Sequence, residues 1–227
     1  LAGRIAEQIV ADSLSLLNTF RDSEFLEANG FNQKTALAMY LPNSYEVFWN
    51  TSAEKFRNRM LKEYKRFWNS KRLEQAVAIG LTPEDVISLA AIVQKETLQV
   101  EERSKVAGVY LNRLRKRMRL EADPTVIYAL KDKYQNFDTI IRRVLRKDLR
   151  IKSPYNTYKN KGVPPGPITM PDINAIDAVL QADSHKYLYF VANPKQPGYH
   201  TFATNYRQHL RNSRAYHRWI NSQKLYR

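Results

Sequence analysis

The chain of 227 residues contains no cysteine, and this absence excludes several kinds of chemistry. Disulfide scaffolds, thiol nucleophiles and thiolate metal sites all require that residue. Histidine is also scarce: His185, His200, His209 and His217 are the four copies, and no two have the spacing of an HExxH metal motif. The sequence also lacks GxSxG, P-loop and GxGxxG motifs. We therefore expect neither a metal nor an organic cofactor.

Long hydrophobic runs are absent too. No apolar stretch reaches the roughly 18 residues that a membrane span needs, and no signal peptide is visible. The chain starts at Leu1 inside what reads as a helix. We interpret it as a processed or truncated chain, whose missing N-terminal part could hold a membrane anchor.

Basic residues, in contrast, are abundant. Lys and Arg number 37 against 22 Asp and Glu, for a formal charge of +15, and 43% of the residues are hydrophobic. That hydrophobic fraction is enough for a core, so a globular protein is expected. The positive surface favours polyanions. Nucleic acid, anionic lipid headgroups and a carboxylate-bearing polymer are all candidates, and charge alone does not choose between them.

The order of the predicted elements indicates an α+β fold. Residues 1–50 form a small unit of short helices, with a turn and β-prone residues at 40–49. Helices are predicted over 51–67, 82–97, 101–119, 126–130, 138–150, 172–181 and 205–226, and an antiparallel pair of strands over 187–192 and 199–204. The 138–150 helix is predicted to be basic and amphipathic, with an apolar side formed by Ile140, Ile141, Val144 and Leu145 and charged residues at Arg142, Arg143, Arg146 and Lys147. Asp123, before Pro124, reads as a helix cap.

Residues 82–97, TPEDVISLAAIVQKET, are the stretch that we consider most informative. Thr82 is a suitable N-cap and Pro83 suits the first helical position. Glu96 falls on the same helical face as Ile92 and Val93, at the far end of the apolar stripe. A carboxyl held partly dry beside a cleft has a raised pKa, which suits a general acid. A charged residue at a helix end can equally be structural.

A proline-rich stretch follows at residues 153–171, with five prolines and two glycines. Its composition indicates an ordered loop. Tyr155, Asn156 and Tyr158 would present aromatic faces, hydroxyls and an amide, a mixture that suits a sugar ligand. His200, in the second predicted strand, could hydrogen-bond the same ligand or be structural. Hydrolysis of a glycosidic bond normally needs a second carboxylate, for which the candidates are Glu121, Asp123 and Asp172.

Several blocks, in order over about residues 80–217, resemble the YceG/MltG-like endolytic murein transglycosylases. They are IVQKET at 92–97, VYLNRLRKRMRLEADPTVIYAL at 109–130, SPYNTYKNKGVPPGPITMP at 153–171, YLYFVAN at 187–193 and HTFAT at 200–204. YLPNSYEV at 40–47 also matches a Tyr-containing turn of the family. The sequence departs from the family at Glu121, where Gln is common, and at Gln208-His209-Leu210, where the family has an EHN-like segment.

This resemblance implies a bacterial inner-membrane protein with a single N-terminal span and an extracytoplasmic catalytic part. It implies that residues 1–50 are part of a LysM-like subdomain and that residues 51–227 are the catalytic domain. The expected activity is internal cleavage of nascent peptidoglycan glycan strands, between N-acetylmuramic acid and N-acetylglucosamine, which leaves 1,6-anhydro-N-acetylmuramic acid ends. Glu96 matches the family's catalytic glutamate. We expect Glu121, Tyr155, Asn156, Tyr158 and His200 to bind substrate, and cell-wall synthases to be possible partners.

Three rival functions stay open at this stage. A muramidase would use Glu96 with a second carboxylate and water, and would leave ordinary reducing ends. A non-catalytic peptidoglycan-binding module would tolerate replacement of Glu96. A nucleic-acid-binding protein would use the basic residues 142–150 and show a steep salt dependence, but no nucleic-acid-binding motif is recognisable, so no nucleic-acid partner is expected.

Overall fold

The structure, a computed structural model, describes residues 1–223 and combines helices with one small antiparallel sheet. This arrangement confirms the α+β class. The helices of the described residues are α1 (Ala2–Ala6), α2 (Ser13–Phe20), α3 (Ser23–Ala28), α4 (Ala53–Phe67), α5 (Ser70–Ile79), α6 (Pro83–Glu96), α7 (Arg103–Arg115), α8 (Asp123–Tyr134), α9 (Ile173–Leu180) and α10 (Tyr206–Ser222), and the strands are β1 (Tyr189–Ala192) and β2 (His200–Ala203). Short 3-10 helices cover Ala36–Met39, Val100–Glu102 and Asp148–Arg150.

Helix α6 forms the centre of the core. Its predicted apolar face is confirmed, because Val86, Leu89, Ile92 and Val93 are all fully buried. The start of the helix is also as expected: the Thr82 side chain accepts from the Asp85 backbone, and the Asp85 side chain accepts from the Thr82 backbone. This reciprocal capping satisfies two of the free N–H groups at the helix start. Helices α7 and α9 pack along α6 and cover it.

Residues 1–50 share this core. Leu16 and Met39 belong to the same hydrophobic cluster as the residues of α4 and α6. No strand occurs among residues 1–50. At Gly166 the proline-rich loop meets this segment so closely that an added Cβ would lie 2.0 Å from the Lys34 carbonyl oxygen. Glycine is therefore needed where the two parts touch.

The predicted strands form a hairpin in which Phe190 pairs with Phe202 and Ala192 with His200. Helix α10 packs on this hairpin. The last residues of the predicted 205–226 helix lie outside the described residues.

The helix predicted over 138–150 is wrong. Only the 3-10 turn at its end is helical, and Ile140 and Leu145 are exposed. Val144 packs on a small second core formed around α8, but the stripe as a whole has no partner. An isolated helix of this length is marginal in water, because packing supplies most helical stability.

Three further local predictions need correction. Residues 40–49 form no strand; the Tyr45 hydroxyl donates to the Leu41 carbonyl (2.8 Å) and folds the segment back on itself. Helix α5 was missed, although Asn69 caps its start and Gly80 ends it in the left-handed conformation. Asp123 is the first residue of α8 rather than its cap, since Ala122 occupies the cap position and α8 runs on to Tyr134.

Within residues 1–223, no single helix is long and apolar enough to cross a membrane. Helices α5 and α6 reach the required length and composition only together, and they are bent by 74° at their junction.

Candidate active site

Glu96 is the last residue of α6 and lies half-buried where that helix meets α7. The helix ends there because Thr97 adopts an extended conformation. Burial raises the pKa of Glu96 to about 7 from an ordinary value of 4.5. The carboxyl is thus largely protonated at slightly acidic pH and poised to exchange a proton near neutrality.

The Tyr110 hydroxyl donates to Glu96 Oε1 at 2.6 Å. Tyr110 projects from α7 and is itself buried, with its ring edge against Phe190 of the hairpin at 5.9 Å. This hydrogen bond lowers the pKa of Glu96 and so opposes part of the burial effect. It also occupies one carboxyl oxygen, which leaves Oε2 to carry the exchangeable proton.

Two charged groups act on Glu96 from nearby. The Asp123 carboxylate raises the pKa of Glu96, and the Arg113 guanidinium lowers it by a smaller amount. Arg113 is buried and is held by carbonyl oxygens, with Nε donating to Leu188 (2.7 Å) and Nη1 to Leu120 (2.9 Å). These bonds tie α7 to the hairpin and fix the cation in place.

The Tyr158 hydroxyl donates to Asp123 Oδ1 at 2.7 Å. Burial, and next this bond, raise the pKa of Tyr158, and the charges of Glu96 and Glu121 add to the effect. Tyr158 therefore lies within the electrostatic reach of all three carboxyls. The structure thus brings two of the predicted substrate-binding residues, Tyr158 and Glu121, to the neighbourhood of Glu96.

Glu121 itself has a left-handed backbone conformation, with φ of 54°. Its side chain is 47% exposed and accepts from Arg113 Nη1 at 3.1 Å. The charge of Glu121 is not among the main influences on the pKa of Glu96; the acidic residue that raises this pKa is Asp123. Glu121 is therefore free to meet a ligand from the solvent side.

Tyr155 and Asn156 lie in the interior. Asn156 is fully buried and donates both amide hydrogens to backbone carbonyls, those of Leu149 (3.0 Å) and Ile151 (2.9 Å). Its Oδ1 accepts from the Tyr158 backbone at 3.0 Å. Tyr155 packs on Tyr128, with ring centroids 4.6 Å apart. Because the contacts of Tyr155 and Asn156 are made within the protein, these two residues shape the loop that presents Tyr158.

His200 is bound to a buried carboxylate. Its Nδ1 lies 2.6 Å from Glu102 Oε2, and its backbone N–H donates to Glu102 Oε1 at 2.9 Å. The Thr97 hydroxyl donates to the same carboxylate at 3.4 Å. Glu102 thereby connects the residue after Glu96 to the hairpin. The second ring nitrogen of His200, Nε2, makes no hydrogen bond among the described residues and is the one left for a ligand.

Asp172, the remaining candidate carboxylate, has a structural position. It caps α9 through the Ala175 backbone N–H (2.8 Å) and accepts from Arg103 Nη1 at 2.8 Å. Its backbone N–H donates to Gln94 Oε1 at 2.6 Å, which fastens α9 to the end of α6. Asp172 therefore supports the helix that carries Glu96 through its backbone, while its carboxylate caps α9 and binds Arg103.

Two participants were not assigned a role from the sequence, namely Tyr110 and Arg113. Tyr110 reads as one of several apolar positions on the face of α7, and Arg113 as one of many basic residues. Their contacts depend on how α7 crosses α6 and meets the hairpin, for which the sequence has no spacing signal. Asp123 was considered as a carboxylate, but its fixed place beside Tyr158 was not foreseen.

Among residues 1–223, no group of three or more His, Asp or Glu side chains is arranged to hold a metal ion. A half-buried carboxyl with a pKa near neutrality, a second carboxylate and a loop of tyrosines define a candidate acid–base site.

The family to which the chain belongs follows from comparison with known proteins. The YceG-like family matches residues 2–215, so the chain is a member of that family. A crystal structure of a YceG-like protein from Listeria monocytogenes superposes with a TM-score of 0.73 at 30% identity, covering 92% of this chain and 70% of that one.

Two curated relatives share one name. The endolytic murein transglycosylase of Bacillus subtilis is 35% identical over 170 residues, which is 74% of this chain and 44% of the relative. That of Streptococcus pneumoniae strain D39 is 31% identical over 175 residues, 75% of this chain and 30% of the relative. The chain thus spans less than half the length of these relatives.

Proposed function

We propose that this protein is an endolytic lytic transglycosylase of peptidoglycan, with Glu96 as its general acid and base. The observation that carries the proposal is the pKa of Glu96, which burial raises to about 7, in a chain of the YceG-like family. The names of the B. subtilis and S. pneumoniae relatives support the same activity.

The reaction uses one carboxyl twice. Protonated Glu96 donates from Oε2 to the glycosidic oxygen as the bond from the muramyl C1 breaks. The resulting carboxylate then takes the proton of the C6 hydroxyl of the same muramyl sugar, and that oxygen bonds to C1. The C6 hydroxyl is tethered, so proximity favours it over water. The product is a 1,6-anhydro end, and Glu96 is protonated again.

The neighbours of Glu96 have distinct roles in this scheme. Tyr110 holds Oε1 and so orients the carboxyl. Asp123 raises the pKa of Glu96, and a negative charge within electrostatic reach of Glu96 would stabilise the positive charge that develops on the muramyl C1 in the transition state. Arg113 limits the rise in pKa and anchors Glu121.

The substrate is bound by Glu121 and His200 through their remaining polar atoms, and by Tyr158, whose hydroxyl is engaged by Asp123, through its ring. Tyr158 offers an aromatic face for stacking on a sugar ring. Glu121 accepts from sugar hydroxyls or amides, and His200 Nε2 reaches the ligand from the hairpin. Tyr155 and Asn156, which the sequence suggested as substrate ligands, act instead as positioning residues because both are buried.

The setting of the protein is part of the proposal. Nascent glycan strands are made at the outer face of the bacterial cytoplasmic membrane, where we place this protein with a single-pass anchor and cell-wall synthases as partners. Peptide-stem carboxylates suit a surface of charge +15. The assignment of residues 1–50 to part of a LysM-like subdomain stays a prediction; these residues share a hydrophobic core with α4 and α6.

A hydrolase is the second candidate, because Asp123 supplies a second carboxylate near Glu96. It would use water in place of the C6 hydroxyl and leave an ordinary reducing end. The engagement of Asp123 by Tyr158 favours an electrostatic role over activation of water.

The test is digestion of purified uncrosslinked glycan strands, followed by mass analysis of the new ends. Wild-type protein should give muramyl ends lighter than reducing ends by the mass of one water, and Glu96→Gln should give none. Glu74→Gln, the same chemical change at an exposed residue of α5, is the matched control and should cut normally. Reducing ends would favour the hydrolase, and equal cutting by Glu96→Gln would refute the role of Glu96.

A further inference from the structure

The segment from Lys131 to Lys152, here called the basic lobe, differs from the rest of the catalytic part. It holds eight Lys or Arg and three Asp, a net charge of +5 in 22 residues. It begins in the last turn of α8 and returns through the 3-10 turn Asp148–Arg150. Its charges do not serve the site described above.

The arginines of the lobe are exposed and unneutralised. Arg142, Arg143 and Arg146 all lie at the surface. No carboxylate of residues 1–223 forms an ion pair with them, in contrast to Arg57, Arg103 and the other paired arginines. A concentrated, unpaired positive field of this kind attracts an anionic partner.

Large apolar side chains project between these charges. Ile140 is 79% exposed, Tyr134 66%, Phe137 50% and Leu145 45%. The lobe also encloses an open groove of about 1040 Å³, to which Tyr134, Ile141 and Leu145 contribute apolar walls and Lys131, Lys147 and Arg150 contribute charge. A soluble polyanion offers no apolar surface on which exposed aliphatic and aromatic groups could be buried. Entry into the interface of a lipid bilayer does bury such groups and is therefore favourable.

We propose that the basic lobe docks on an anionic lipid surface. Basic side chains then meet headgroup phosphates while Ile140, Phe137 and Leu145 insert at the headgroup boundary. The lobe keeps its shape on this surface because Val144 and Leu149 anchor it on the second core around α8. This docking does not depend on the proposed cleavage reaction.

Docking at the lobe would set the height of the candidate active site above the lipid. Helix α8 starts at Asp123 beside Glu96 and ends at Tyr134 in the lobe. Its 12 residues span about 18 Å at 1.5 Å per residue. Glu96 would therefore act within a short, fixed distance of the membrane.

The test is co-sedimentation of the whole chain with vesicles. The probes are vesicles of phosphatidylglycerol mixed with phosphatidylcholine, and vesicles of phosphatidylcholine alone. We expect binding only to the mixed vesicles, weakened by salt. The triple variant Arg142→Gln, Arg143→Gln, Arg146→Gln should partition on the order of 100-fold less, because each basic residue near an anionic surface contributes about fivefold.

Two matched controls separate the lobe from general charge and hydrophobicity. Lys62→Gln, Arg66→Gln, Lys71→Gln removes three exposed charges from α4 and α5 and should change binding only slightly. Ile140→Asp should weaken binding strongly, whereas Val77→Asp, at a residue of α5 that is 77% exposed, should not. All of these side chains are at the surface, so near-normal melting curves are expected and would verify folding.

Three results would overturn the proposal. If the triple variant of the lobe and the triple variant of α4 and α5 lose vesicle binding equally, the total charge of the protein, and no particular surface, attracts the vesicles. Loss of binding in the lobe triple but not in Ile140→Asp, with equal binding to polyglutamate, would point to a soluble polyanion. Absence of binding to mixed vesicles by the folded wild type would refute lipid docking, while glycan digestion by the same sample would leave the cleavage proposal intact.

Discussion

The regions at the two ends of α8 differ in how their charged side chains are bound. At its start, Asp123 accepts from Tyr158, and buried Arg113 nearby is bound by carbonyls and by Glu121. Beyond its end, Arg142, Arg143 and Arg146 are exposed and form no ion pair with any residue that the structure describes. Asp123 and Arg113 shift the pKa of Glu96 and so act on a proton, whereas the exposed arginines act at a distance on a large partner.

This contrast has consequences for mutation. A substitution at the site should alter the reaction and its pH dependence, even when it changes few contacts. A substitution in the basic lobe should leave the chemistry and the fold nearly unchanged and alter only what the surface attracts. The predictions that follow test this division, beginning with the largest effect.

Glu96→Gln should reduce glycan cleavage by about 10²–10⁴-fold, the usual contribution of general acid–base catalysis. The amide keeps the shape of the side chain but has no proton to donate. The measurement is the rate of new end formation from uncrosslinked strands. A rate within a few-fold of wild type would show that the proton comes from elsewhere.

The same variant should be more stable than wild type at high pH. The pKa of Glu96 is raised on folding, from 4.5 to about 7, so the folded state binds the proton more tightly. That contribution is complete below pH 4.5 and is lost as pH rises to about 7, a change of up to about 3 kcal/mol. Urea unfolding at pH 5 and pH 8 should show the advantage of Glu96→Gln growing with pH; a constant difference would mean that Glu96 is not desolvated.

Tyr110→Phe should move the alkaline limb of the pH–rate profile to higher pH. The Tyr110 hydroxyl lowers the pKa of Glu96, so its removal leaves the carboxyl protonated over a wider range. Tyr64→Phe is the matched control, because the Tyr64 hydroxyl donates to Glu84 at 2.7 Å in the same manner but at the other end of α6. Equal profiles for the two variants would contradict the role of Tyr110.

Asp123→Asn should move the same limb to lower pH. The Asp123 charge raises the pKa of Glu96, and asparagine removes the charge while Oδ1 can still accept from Tyr158. Asp177→Asn, which disturbs the distant pair with Arg72, should leave the limb in place. A shift toward higher pH on replacement of Asp123 would reverse the electrostatic assignment.

Arg143→Gln should change the free energy of unfolding by no more than about 0.5 kcal/mol, the usual range for exposed side chains. It should also leave the pH–rate profile unaltered, because Arg143 is not among the charges that act on the pKa of Glu96. Denaturant melts and the same cleavage assay test both points. A clear shift of the profile would show that the two regions are electrostatically coupled.

The site could be predicted from the sequence where it depends on local periodicity. The apolar stripe of α6 fixes which face is buried, so the position of Glu96 at its end follows from spacing. The hairpin also follows, since two β-prone runs flank a short turn-forming loop.

Other features depend on contacts between distant segments, and these could not be derived from spacing. The bond from Tyr110 to Glu96 arises from the crossing of α7 and α6. Asn156 has the composition of a sugar ligand, yet its amide is fully used by backbone carbonyls. In the lobe, an amphipathic pattern suggested a helix, but the fold provides no surface against which the whole stripe could pack.

The central claim is that Glu96, after it has protonated the glycosidic oxygen, accepts a proton from the C6 hydroxyl of the muramyl sugar rather than from water. Digestion in heavy-oxygen water tests this claim most directly. A transglycosylase forms the new end from the C6 hydroxyl, so wild-type protein should release muramyl ends that lack one water and carry no heavy oxygen. New ends that carry heavy oxygen at the muramyl C1 would contradict the account and identify the enzyme as a hydrolase.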